Sequence, residues 1–388
     1  MVFTGFDKIS KSLPPLLKGK SLALLCHAPS INRDFVHIID FFRECRETSL
    51  KCIFGPQHGL FGQTQDNMIE WEGNSESAFG VPVYSLYGRH RTPAHHMLEG
   101  VDIVVVDLQD IGARPYTYIW TLKNVMQVCA ELSLPVLVLD RPNPVSRLGC
   151  EGPVLKRDYF TFVGGAEIPL CHDLTIGEIA LWLNEYEDTA CELHIEWMSG
   201  WKRGMMYRDT DLQWVPPSPN MPSQETAVVY PGMVLTEALN LSEARGTTTP
   251  FELFGAPALD TASIIEDLKA RKLKGCAFRL HDFIPTFNKY SDSYCKGIQI
   301  HITDPGTYEP VFTAISLYDS IIRTNPLYME FNKPPYEYEY RLMPFDILMG
   351  DSTTREALTK RENILIEKER WSSEVSDFQK KFSLIKHY

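Results

Sequence analysis

From Ser21 to about Trp197 the chain alternates short β-rich apolar runs with amphipathic stretches, and no other feature limits its fold as strongly. The apolar runs are Leu22 to Cys26, Cys52 to Phe54, Ile103 to Leu108 and Val136 to Leu139, with helical stretches at Phe35 to Arg46 and Tyr118 to Leu132. Strands separated by helices can pair in parallel, because a parallel pair needs a crossover of a dozen or more residues. The expectation is an α/β fold around a mostly parallel sheet. Thr175 to Glu178 forms a capping box ahead of the apolar positions Ile179, Leu181, Trp182 and Leu183, which predicts a helix; Leu193 to Trp197 reads as the next strand.

A chain of 388 residues suggests two domains. Between Val215 and Pro231 it reads VPPSPNMPSQETAVVYP, and this proline density argues against continuous regular structure. We therefore expect a boundary near residue 225, with an α/β domain over 1–225 and a smaller α+β domain over 226–388. In the latter, Asp260 to Lys274 and Val311 to Arg323 read as helices, and Cys276 to Leu280 and Gly297 to Thr303 as strands. The Glu- and Lys-rich tail from Ser352 to Ile385 reads as helices packed on the outside of that second domain.

The formal charge of −12 argues against a chain that neutralises phosphates along nucleic acid or an anionic membrane. No apolar run approaches the ~20 residues of a membrane span, so no integral membrane contact is expected. Lys18 and Lys20 precede Leu22 to Cys26, but that apolar run is too short for a secretion signal. Nine cysteines without a C-x-x-C pair read as buried thiols in a reducing compartment, which favours the cytoplasm and gives no metal site.

Ligands of open parallel sheets bind beyond the carboxyl ends of the strands. Gly55-Pro56-Gln57-His58-Gly59 follows one run; Asp107, Gln109, Asp110 and Arg114 close or follow the next; Asp140, Arg141 and Asn143 follow Leu139. Asp107 and Asp140 could equally cap turns. His58, in a Gly/Pro loop, is a stronger functional candidate. His90, His95 and His96 read as solvated rather than as metal ligands. Glu70 and Glu72 flank Trp71, a pairing suited to sugar stacking but equally to an ordinary loop. No dinucleotide fingerprint, Walker A sequence or G-x-S-x-G elbow occurs, and no cofactor is expected.

At these loops the sequence resembles the NamZ-type exo-β-N-acetylmuramidases, a family of peptidoglycan glycosidases. The resemblance is collinear: GPQHG (55–59), VPVYSLYG (81–88), VDLQDIGARPYTYI (106–119), LDRPNP (139–144), EGPVL (151–155), IPLCHDLTIGE (168–178), PSPNMP (217–222), YPG with LSEARGTTTPFELFGAP (230–257), FIPTFNKY (283–290) and CKGIQIHITD (295–304). It implies a Rossmann-like N-terminal domain, a smaller C-terminal domain and a cleft where they meet. The implied activity is removal of terminal N-acetylmuramic acid (MurNAc) from the non-reducing end of peptidoglycan-derived glycans; with no export signal visible, cell-wall recycling is its expected setting. The implied partner is a MurNAc-containing glycan or muropeptide.

Such cleavage needs a general acid at the glycosidic oxygen and a second group acting as base, nucleophile or support for the substrate's acetamido group. The lactyl carboxylate suits a bidentate arginine, for which Arg114, Arg141 and Arg245 are candidates. The matched motifs also imply substrate contacts from Asp107, Asp110, Tyr116, Asn143, His172 and Asn220, with Asp110 alternatively holding Arg114. The family's usual loop has Glu where this chain has Gln57, and an amide cannot serve as acid or base at neutral pH. Glu70, Glu72 and Glu243 are the candidate replacements beside Gln57 and His58. A chain that binds sugar without cleaving it is the alternative.

Overall fold

The computed structural model describes all residues except Asn67, Ser75, Glu76 and Asp188. It opens with helix α1 (Gly5–Lys11). Thr4 and Asp7 close a capping box around its first turn, and Asp7 lies fully inside. Gly5 lets this helix approach the sheet: a Cβ there would sit 2.5 Å from the Glu196 carbonyl oxygen.

The first half then runs β1 (Ser21–Cys26), α2 (Ile38–Glu44), β2 (Ser49–Gly55), β3 (Val83–Ser85), β4 (Ile103–Asp107), α3 (Tyr118–Glu131) and β5 (Val136–Leu139). A hairpin of β6 (Glu151–Val154) and β7 (Pro169–Cys171) precedes α4 (Ile176–Tyr186) and β8 (Leu193–Glu196). The main sheet has the order β3-β2-β1-β4-β5-β8, every pairing parallel. Every residue of β4 is buried, as its IVVVD sequence requires of a strand covered on both faces. The α4 box forms as read: the Thr175 hydroxyl accepts from Glu178 N, and Glu178 accepts from Thr175 N at 3.0 Å. Strand order reverses between β1 and β4, so the loops leaving β1, β2 and β4 bound the crevice where such sheets bind ligands.

The proline-rich stretch corrects one expectation. Regular structure resumes inside it as α5 (Gln224–Met233), capped by Ser223, whose hydroxyl accepts from Thr226 N at 3.1 Å. The prolines of VPPSPNMP end before the cap, and burial of Ala227, Val228, Val229 and Tyr230 outweighs Pro231, after which the chain tightens into a 3-10 turn over Val234–Ala238.

Beyond α5 an antiparallel sheet in the order β10-β11-β9 forms from β9 (Leu253–Ala256), β10 (Cys276–Leu280) and β11 (Lys296–Ile302), with α6 (Thr261–Arg271) joining β9 to β10. Helices α7 (Pro310–Thr324), α8 (Pro344–Met349), α9 (Thr353–Lys360) and α10 (Ile364–Phe382) complete the chain. One hydrophobic cluster runs through both halves, from Val106 and Met126 to Phe254, Ile315 and Trp371.

The tail is the second correction. Its long helix α10 packs on β6 and sets Phe378 4.7 Å from the Trp182 ring of α4, so it covers the first half rather than only the second. The residues after it continue the same way. His387 stacks on Trp197 at 3.9 Å, and the Tyr388 hydroxyl donates to Asp140 Oδ2 at 2.7 Å while accepting from Met198 N at 2.8 Å. Tyr388→Phe is expected to lower unfolding free energy by about 1–3 kcal/mol, since it takes the donor from Oδ2 of Asp140, whose Oδ1 keeps the Gly177 N–H, and the acceptor from the Met198 N–H. Urea denaturation checks this, and an unchanged midpoint would show that the tail is not docked there.

Candidate active site

A narrow cleft lies where the loops after β2 and β4 meet the strand-free segments of the second half. Gln57, His58, Tyr116, Asn220 and Arg245, all expected site residues, line it together. Tyr118 and Ser218 complete the wall from the first half. From the second come Glu237, Phe251, Tyr336 and Glu337, with Tyr230 of α5. Aromatic rings form a continuous flank: Tyr116 stands 4.8 Å from Tyr118 and 5.8 Å from Tyr230, which stands 4.8 Å from Phe251. Rings beside hydroxyls and carboxyls suit a ligand with alternating apolar faces and polar edges.

Gln57 is held by Thr117 at the start of α3, whose hydroxyl donates to Gln57 Oε1 at 2.6 Å. The residue lines the cleft. His58 Nδ1 donates to the Thr64 carbonyl at 2.7 Å, which fixes the tautomer with Nε2 as acceptor. Burial pushes the His58 imidazole down to about 4, so it is neutral at pH 7. Asn220 anchors the opposite rim by donating to the Gln65 carbonyl at 2.5 Å.

Two carboxyls line the cleft in contrasting settings. Glu237 Oε1 accepts from Arg245 Nη2 at 2.8 Å, and its Oε2 accepts from the Tyr336 hydroxyl at 2.7 Å. Glu337 accepts instead from a neutral group, the Tyr87 hydroxyl, at 2.8 Å. Burial pushes the Glu337 carboxyl up to about 7, with the Tyr87 hydroxyl pulling it down and the Glu237 charge pushing it further up. Backbone strain gathers at the same place: His58, Phe251 and Glu337, all lining the cleft, have φ of 70°, 64° and 44°.

Glu243 stands behind the cleft wall. Arg245 Nη1 reaches it at 2.8 Å and Lys289 Nζ at 3.1 Å; burial raises its carboxyl, but these two cations outweigh burial and hold it low. It orders Arg245, which also lies 4.9 Å over the Phe251 ring.

Other expected contacts are corrected by their surroundings. Arg114 is fully buried and donates to the carbonyls of Pro153, Ile168 and Leu348, at 2.9, 2.9 and 2.7 Å. It binds backbone, not a ligand, and Asp110 does not hold it. Asp110 accepts from Gly112 N at 2.8 Å and lies 3.4 Å from His172 Nε2, both groups being buried. Burial pushes Asp110 up to about 7 and His172 down to about 3, so at pH 7 the imidazole is neutral. Asn143 donates to the His172 and Leu174 carbonyls at 3.0 Å each. The segment after β7 thus joins both loops: it accepts from Asn143 of the β5 loop, and His172 N–H donates to the Gly112 carbonyl of the β4 loop at 2.9 Å.

Asp107 and Arg141 form a buried ion pair, Nη2 to Oδ2 at 2.8 Å, at the sheet's switch point. Arg141 lines a separate cavity of about 190 Å³ with Asp7, Arg33 and Tyr207. Glu70 pairs with Arg91 at 2.9 Å, and Glu72 is exposed on a shallow surface with Ser85 and His90. Neither lines the cleft. Among the described residues no group of three His, Cys, Asp or Glu is placed to hold a metal ion, and no helix is long and apolar enough to cross a membrane.

Sequence reasoning missed Glu237 and Glu337. Glu337 stands in PPYEYEY, and a carboxylate beside an aromatic residue is the signal read at Glu70 and Glu72; applied here it would have found the site. Glu237, in an apolar stretch, had no signal.

Comparison with known proteins places this geometry. The N-terminal and C-terminal profiles of the family described as exo-beta-N-acetylmuramidase NamZ match residues 22–225 and 228–388. A Bacillus subtilis protein, peptidoglycan beta-N-acetylmuramidase NamZ, is 38% identical over 385 residues, covering 98% of this chain and 91% of its own. Among crystal structures, a DUF1343 family protein from Bacteroides fragilis superposes with a TM-score of 0.90 at 30% identity. A second from that organism gives 0.77 at 26%. In both, all of this chain and 99% of the other are covered.

Proposed function

This chain belongs to the NamZ exo-β-N-acetylmuramidase family, and from that premise we propose that it is a glycosidase whose cleft releases terminal MurNAc from the non-reducing end of peptidoglycan-derived glycans. The observation that carries the reading is the pair of cleft carboxyls in contrasting settings. Glu337, poised near neutrality, is the proton donor to the glycosidic oxygen. Glu237, salt-bridged to Arg245, faces the positive charge that develops on the sugar ring and can deprotonate the incoming water. Carboxyls outside the Gln57 loop thus supply the acid and base chemistry that an amide cannot.

The Gln57 amide, oriented by Thr117, is suited to donate to the acetamido carbonyl of the sugar. Arg245 and the polar wall of Tyr116, Ser218 and Asn220 are suited to the lactyl carboxylate. Gln57→Glu is expected to lower MurNAc release, because it removes this donor and adds a third carboxylate to the cleft. We place the reaction in wall-fragment recycling in the cytoplasm, a reading supported by nine free cysteines, six of them buried; detection of the protein in the cytosolic fraction checks it.

The test is release of free MurNAc from a MurNAc-GlcNAc disaccharide, with GlcNAc-MurNAc as the reversed control. Release from the first alone supports the reading. Binding by calorimetry without release, together with a large gain from Gln57→Glu, would favour a sugar-binding protein that has lost its acid, the alternative that Gln57 itself motivates.

A further inference from the structure

We propose that Tyr87 is the positioning residue for the Glu337 carboxyl, tying it to the backbone of the segment that follows Gln57 and so deciding which oxygen carries the proton. The proposal rests on the reading of Glu337 as the acid. Tyr87 lies two residues beyond β3 and is fully buried. It is absent from the cleft lining, so it can act only through another side chain. Its hydroxyl is used on both sides: it accepts from Met68 N–H at 3.1 Å and donates to Glu337 Oε2 at 2.8 Å.

A phenol whose accepting side is taken by a backbone N–H is set as a donor toward the carboxyl. Oε2 is then the acceptor, and in the neutral acid the proton resides on Oε1, the oxygen left to meet the glycosidic oxygen. On donation the O–H bond at Oε1 breaks, the proton passes to the leaving oxygen, and the new carboxylate keeps the Tyr87 hydrogen bond at Oε2. That bond strengthens as the acid loses its proton, which favours the transition state over the ground state.

The surroundings are built to hold this arrangement. Glu337 and Tyr338 are successive non-glycine residues in the left-handed region, with φ of 44° and 68°. The Arg91 guanidinium lies 4.2 Å from the Tyr87 ring and 4.4 Å from the Tyr338 ring, which meet edge-on at 6.2 Å, and it is ion-paired with Glu70 at 2.9 Å, so it staples the strained segment to Tyr87. The charged and titratable groups facing Glu337 are Glu237, Arg245, Arg91, Tyr87, Tyr336 and Tyr230. Tyr87 is hydrogen-bonded to its carboxyl.

The experiment compares the pH profile of kcat/KM for MurNAc release from MurNAc-GlcNAc in native protein, Tyr87→Phe and Glu337→Gln. Tyr87→Phe removes a hydrogen bond to the charged form, so the alkaline limb is expected to move up by about one pH unit. kcat at pH 6 is expected to fall by about tenfold with KM within about twofold. The carboxyl ¹³C titration of Glu337 in labelled protein should move by the same amount without turnover. An unchanged limb and kcat in Tyr87→Phe, with Glu337→Gln still inactive, overturns the role of Tyr87. Activity retained in Glu337→Gln overturns the reading beneath it. Should Tyr87→Phe not fold, Arg91→Lys loosens the same staple, and an unchanged kcat and ¹³C titration there overturn the proposal.

Discussion

Glu337→Gln is expected to cut kcat for MurNAc release by about 10³-fold while leaving KM within about threefold, because general acid catalysis contributes about 10² to 10⁴. The substitution keeps the shape of the side chain and still offers an oxygen to the Tyr87 hydroxyl, so the cleft should keep its form. What is lost is the proton. Two measurements separate this from a damaged site. With an aryl glycoside of MurNAc whose phenolate leaves without protonation, the loss should shrink by at least about tenfold, since the acid is no longer needed. The pH profile supplies the second.

Burial pushes Glu337 up to about 7, and its protonated form is the active one; activity should therefore be present below about pH 7 and fall as pH rises through that value. In the residual activity of Glu337→Gln this alkaline limb should be gone. Native-like rates in the variant would remove Glu337 from the chemistry altogether.

The sheet was legible because parallel strands buried on both faces carry unbroken apolar runs, and β1, β4 and β5 begin and end within two residues of where those runs do. Helix α4 was legible from its capping box. The segment around residue 225 was misread because proline density was weighed over the whole stretch, whereas a helix needs only its own ten residues clear of the first prolines. Half of the cleft could be found from motifs, since Gln57, His58 and Tyr116 follow strands of a fold that binds ligands at strand ends. The other half could not, because Glu237 and Glu337 arrive from the second half of the chain and gain their meaning from what packs around them. The arginines make the same point: Arg114, Arg141 and Arg245 sit in equally polar motifs, and only their distant neighbours assign one to backbone carbonyls, one to Asp107 and one to the cleft.

Arg114 therefore gives the largest expected effect on stability. Its two terminal nitrogens satisfy three carbonyls from parts of the chain that meet only in the folded state: Pro153 in β6, Ile168 beside β7 and Leu348 in α8. Burial lowers the guanidinium to about 9, with Asp351 and Glu374 opposing that from further away, so it remains charged at pH 7. Arg114→Met fills much of the volume but takes its donor from all three, and the Ile168 carbonyl keeps another, the Leu155 N–H at 3.2 Å. Each bond lost to the guanidinium costs about 1–3 kcal/mol and such costs do not simply add, so a loss of about 3–5 kcal/mol is expected in urea denaturation. Arg114→Lys should recover only part of it, because one ammonium cannot reproduce a planar fork spanning two nitrogens. The KM for MurNAc-GlcNAc, measured on protein that remains folded, should stay within about twofold. A KM raised more than tenfold with an unchanged urea midpoint would return Arg114 to the substrate and show that the β6, β7 and α8 carbonyls do not depend on it.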